Sequence, residues 1–117
     1  MKWCICSDTF PGWSLEDIFL FARETGYQAV ELASYSFCGD IREVNEAQRQ
    51  QIREWAHDAG VEIAGMHALF TPIPGLRPLH SCPEWLQMNS ADPEIRRRTL
   101  EYLKELIRFT SEVGGTN

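Results

Sequence analysis

The stretch VEIAGMHALFTPIPG, residues 61–75, begins as a buried strand, ends in prolines and holds one histidine, His67, where the two meet. An imidazole titrates near neutral pH. At the mouth of a pocket it can relay a proton, bind a metal ion or donate to a substrate hydroxyl. The competing role is a core histidine satisfied by backbone groups. Strand alternation puts His67 on one face with Ile63 and Gly65, above the small glycine. The second group is Glu31, inside AVELA, in phase with Ala29 and Ala33 while Val30 and Leu32 face the other way. A carboxylate among small residues on an apolar strand is costly without a partner. That partner is a substrate hydroxyl, a metal-bound water or a neighbouring cation, the last making Glu31 half of a structural ion pair. Asp8, close to Thr9 and Pro11, suits a pocket mouth or a turn. Phe70 and Trp85 sit in a long proline-rich connection, residues 68–91, and are of the type that stacks on a flat ligand or on a neighbouring loop.

Other groups carry less. His80 has no supporting context. Cys4 and Cys6, two apart on one strand face, do not suit a disulfide with each other, and all four cysteines, with Cys38 and Cys82, read as reduced fillers of small core spaces. Arg96, Arg97 and Arg98 read as a solvated face at a helix start, where the dipole prefers anions. There is no glycine-rich phosphate loop and no nucleophile motif. The 117 residues carry a net charge of -6, and a general nucleic-acid binder is expected to carry a basic excess. No run of about 18 apolar residues exists to span a membrane. Met1-Lys2 leads straight into Trp3 without a secretory h-region, so a cytoplasmic protein is expected.

The elements that position these groups alternate. KWCICSDTF, residues 2–10, reads as a strand. Ser14, with Asp17 three residues on, opens a helix whose Leu15, Ile18, Phe19 and Ala22 form one face, closed by Gly26. YQAVELAS, residues 27–34, is the second strand. Asn45 with Gln48 opens a second helix, with Ile52, Trp55, Ala56 and Ala59 inward and Gly60 at its end. The segment holding His67 is the third strand. Asp92-Pro93 opens a third helix, with Thr99, Tyr102, Leu103, Leu106, Thr110 and Val113 inward and Gly114 at its end. ARETGYQAVEL and AHDAGVEIAGM echo each other, and TSEVGGTN begins the phrase a third time. Strands alternating with helices imply a parallel sheet with right-handed crossovers. The chain is expected to form one partial α/β domain over residues 1–117, three βα units that reach the start of a fourth strand.

GYQAVEL, GVEIAGMHALFTPIPGL and DPEIRRRTLEYLKELIRFTSEVGGTN, in this order and spacing, resemble the N-terminal part of the sugar phosphate isomerase/epimerase family, the xylose isomerase-like TIM barrels. The resemblance implies a (β/α)8 barrel of about 250 residues, active at the C-terminal ends of its strands. It implies a divalent metal (Mn, Mg, Zn or Co), held by two Glu, one Asp and one His of later strands that are not in this chain, and proton transfer next to a carbonyl of a small sugar or polyol, phosphorylated or not. Endonuclease IV-like relatives place a zinc-binding histidine where His67 stands, so a metal-dependent phosphodiesterase is the second reading. A non-catalytic barrel fragment that oligomerises is the third. The substrate-pocket candidates are Glu31, His67, Phe70 and Trp85. Glu31 and His67 are two metal ligands where a catalytic site needs three or more, so no tight metal site is expected from this chain alone.

Overall fold

The computed structural model describes residues 1–67 and 86–116. Three strands, β1 (Cys4–Cys6), β2 (Ala29–Ala33) and β3 (Glu62–His67), lie parallel in the order β1-β2-β3. Helices α1 (Leu15–Glu24) and α2 (Glu46–Ala59) connect them, and α3 (Pro93–Glu112) follows β3. The proline-rich connection with Phe70, His80, Cys82 and Trp85 lies outside the described residues. Among the described residues no helix is long and apolar enough to cross a membrane.

The helix boundaries follow from local chemistry. Ser14 Oγ accepts from the Asp17 N–H at 3.1 Å and starts α1. Asn45 and Gln48 form a reciprocal capping box on α2, each side chain bonding the other's backbone N–H at 2.9 Å. Asp92 accepts from the Glu94 N–H at 2.8 Å, and Pro93 needs no partner at the first helical position. Gly60 closes α2 in the left-handed region, with φ 69°, where a side chain would be strained.

The core lies between the sheet and the helices. Val30, Leu32 and Ile63 meet Ile18 and Phe19 of α1, Ile52 and Ala56 of α2 and Leu106 of α3, all buried. Phe109, fully buried on α3, stacks on Phe37 with centroids 5.9 Å apart. The inward stripe of α3 therefore runs through Thr99, Tyr102, Leu106, Phe109, Thr110 and Val113, with Leu103 only partly buried at its margin. Arg49 joins α2 to α3 through Glu105 at 2.9 Å and Glu112 at 2.6 Å, its guanidinium 5.4 Å from the Phe109 ring centre. Arg97 and Arg98 both pair with Glu94 at the exposed start of α3, a solvated arrangement as expected.

Three details differ from the sequence reading. β1 is shorter than residues 2–10, because Ser7 Oγ takes the Ala33 N–H at 2.9 Å and so replaces the next backbone rung, and the chain turns into a 3-10 turn at Ser7–Thr9. Cys4 is exposed and Cys6 half-buried, so neither fills the core. The intervening Ile5 takes the core side, and alternation turns both thiols to the opposite face. Finally, Ile63 and His67 do not share a face. Val30 pairs with Ile63 but Glu31 pairs with Gly65, so Ala64 is an extra residue in the ladder. This bulge reverses the phase of β3: Ile63 and Met66 point to the helices, Gly65 and His67 away from them. Gly65 makes the bulge with φ 152°, a conformation that favours glycine.

Candidate active site

The sheet face opposite the helices gathers the polar groups. In register, Cys6 of β1 lies beside Glu31 of β2, and Glu31 beside Gly65 of β3. With no side chain at Gly65, the ring of His67, one pleat further on, approaches Glu31: Nδ1 lies 3.3 Å from Oε2. The other ring nitrogen, Nε2, faces Asp8 Oδ2 at 3.4 Å. The Cys6 thiol donates to the same Glu31 Oε2 at 3.4 Å. One imidazole thus stands between two carboxylates at the C-terminal ends of parallel strands, where barrel enzymes place their chemistry.

A serine pair holds the rim. Ser7 Oγ and Ser36 Oγ are 2.7 Å apart, and Ser36 Oγ donates to the Ala33 carbonyl at 2.8 Å. These bonds fasten the turn after β1 to the 3-10 turn after β2, Ser34–Ser36. Asp8 and Tyr35 come together as a result, and the Tyr35 hydroxyl donates to Asp8 Oδ2 at 2.5 Å. His67, Glu31 and Asp8, all singled out in the sequence, are therefore brought together. Cys6 and Tyr35 were missed as site members. The position of Tyr35 just past a strand end was the available signal; for Cys6 the signal was only its phase against Glu31. The count of two metal-capable donors rises to three, because Cys6 Sγ, a Glu31 oxygen and a His67 ring nitrogen lie within 4.8 Å of one another. Phe70 and Trp85 are outside the described residues.

Charges here are set by neighbours. Burial pushes the Cys6 thiol up to about 11, helped by its bond to Glu31 and by the nearby carboxylate charges. Burial and the bond to Asp8 push Tyr35 up to about 12, so it stays a donor. Burial alone would raise Asp8, but the hydrogen bonds from Tyr35 and His67, with the charge of His67, hold it below its usual range. A carboxyl whose folded pKa lies below its unfolded value of about 3.9 adds stability that is present above that value and lost as pH falls through the folded one. Asp8→Asn should therefore flatten the decline of melting temperature below about pH 4; an unchanged acid limb would contradict the assignment.

A cavity of about 750 Å³ opens elsewhere, between the loop before α1 and the face of α2, lined by Trp13, Phe37, Gln48 and Trp55 among others. Among the described residues that line it, Glu43 is the single carboxylate and there is no histidine, so they do not supply the acid–base partners found at the strand ends.

Comparison with known proteins agrees with this architecture. No curated protein matches the chain. Among solved structures, a xylose isomerase domain containing protein from Salmonella typhimurium LT2 superposes with a TM-score of 0.62 at 19% identity. A D-psicose 3-epimerase determined in the presence of D-fructose gives 0.67 at 16% identity. A D-psicose 3-epimerase from Clostridium cellulolyticum H10, with D-tagatose, gives 0.67 at 15% identity. Each match covers 97% of this chain and 34% of the other, so the chain spans about a third of these proteins. Residues 19–117 match a family described as xylose isomerase-like TIM barrel. With three parallel βα units and the polar groups at the strand ends, the chain belongs to that family.

Proposed function

We propose that this chain is the N-terminal part of an isomerase or epimerase acting on a small carbohydrate, moving a proton at the carbon next to a carbonyl. The observation that supports this most is the His67 ring placed between Glu31 and Asp8 on the open face. Asp8, held by Tyr35, accepts from Nε2–H and orients the ring. Nδ1 then carries the lone pair, close to the Glu31 carboxylate. One of this pair accepts the substrate proton and the other returns it or holds the adjacent hydroxyl. The divalent metal implied by the resemblance supplies, when bound, polarisation of the carbonyl oxygen.

The phosphodiesterase reading is weaker on electrostatic grounds. Among the described residues no lysine or arginine pairs with Asp8 or Glu31, and two carboxylates repel a phosphodiester. The deciding experiment offers the complete protein D-fructose, D-tagatose and D-psicose in deuterated water. Deuterium appearing at the carbon next to the carbonyl supports proton transfer; cleavage of a phosphodiester with no exchange would reverse the ranking.

Self-association of the 117-residue chain belongs to the same reading. Trp3 and Ile107 are exposed at 62% and 69%, and among the described residues β1 and β3 each have one edge without a strand partner. Light scattering over a dilution series should show a mass above that of one chain; a monomer at all concentrations would refute it.

A further inference from the structure

We propose that Cys6, Glu31 and His67 form a binding site for a soft divalent cation, zinc in preference to magnesium or manganese. Glu31 Oε2 lies 3.4 Å from Cys6 Sγ and 3.3 Å from His67 Nδ1. A tetrahedral zinc ion with bonds of about 2.0–2.3 Å sets neighbouring ligands roughly 3.3–3.6 Å apart. The two pairs that share Glu31 Oε2 stand at that spacing, and all three ligand atoms lie within 4.8 Å of one another.

The histidine carries an independent sign. Its Nδ1 is buried and makes no hydrogen bond, although a carboxylate oxygen is 3.3 Å away. With Nε2–H directed at Asp8, Nδ1 turns a lone pair toward another acceptor. Two acceptors at that distance repel unless a proton or a metal cation lies between them, and at neutral to alkaline pH, where an imidazole is unprotonated, a metal cation meets that need. A metal-ligating histidine commonly donates its second ring N–H to a carboxylate, and Asp8 stands in that place, itself fastened by Tyr35. The thiol decides the type of ion, because thiolate favours zinc over the hard cations that prefer oxygen. On binding, Cys6 gives up its proton and the thiolate and Glu31 together balance the charge of the ion.

This site differs from the set of two Glu, one Asp and one His of later strands that the resemblance implies. A cation here takes the lone pair that the proposed proton transfer uses, so the two are alternatives, and zinc would inhibit. The site does not depend on the carbohydrate reading.

The test is titration of the intact protein with Co²⁺, a spectroscopic substitute for zinc. A thiolate-to-cobalt charge-transfer band should saturate at one equivalent and vanish when Zn²⁺ is added. Cys6→Ser should abolish it, and Cys4→Ser and Cys38→Ser should leave it intact, with circular dichroism confirming the fold. Asp8→Asn keeps all three ligands and should weaken binding about 10- to 100-fold. No band in the folded wild type, or a band that survives Cys6→Ser, overturns the proposal. The readout is independent of turnover, so loss of the isomerase reading would leave this result standing, and the reverse.

Discussion

His67→Gln in the complete protein is expected to lower kcat/KM about 100-fold or more while moving the melting temperature by no more than a few degrees. Loss of a positioned acid–base group typically costs 10²- to 10⁴-fold. Glutamine is of similar size and can still donate to Asp8, but it cannot hold and release a proton near neutrality. The stability cost is small because the side chain is 30% exposed and stands at the end of β3. Glu31→Gln should show the same split between rate and stability. If His67→Gln melts several degrees lower while its folded fraction turns over at the normal rate, His67 is a structural residue and the proposed role is wrong.

What was legible in the sequence divides by range. Caps are local, so Ser14, Asn45 and Asp92 mark the helix starts within a few residues of themselves. The alternation in AVELA also depends only on neighbours, and Glu31 faces away from the core as its phase required. The face of β3 was not legible, because strict alternation fails at a bulge. The extra residue at Ala64 is defined only by pairing with β2. The same limit hid Cys6: its meeting with Glu31 is a register fact between two strands 25 residues apart in sequence. His67 was placed at the right end of the right strand, yet its two partners come from different loops and strands. A tyrosine after strand two looks ordinary until the serine pair brings its turn against the one after strand one, where Asp8 stands. In the bulge the departure from local rules coincides with the site, as is common where a backbone re-aims a functional side chain.

Phe109→Ala should be the most damaging single truncation in α3, lowering stability by about 3–5 kcal/mol. The ring is fully buried, stacks on Phe37 at an interplanar angle of 21° and lies beneath the Arg49 guanidinium. Removing it leaves a void lined by an aromatic ring and by a guanidinium paired with Glu105 and Glu112. The surrounding elements cannot close the space without moving, because Phe37 belongs to the segment after β2 and Arg49 is fixed on α2 by its bond to the Val44 carbonyl at 2.8 Å. For a domain of this size each kcal/mol corresponds to several degrees, so the midpoint should fall by roughly 10–20 °C. Leu103→Ala, at the margin of the same helix, should cost far less, which separates burial from helix propensity because both changes place alanine in α3. Phe109→Leu should recover most of the loss by refilling the volume. Paired thermal and guanidinium melts decide the matter. Equal losses for Phe109→Ala and Leu103→Ala would mean that Leu103 is as much a part of the inward stripe of α3 as Phe109, against the burial of the two residues.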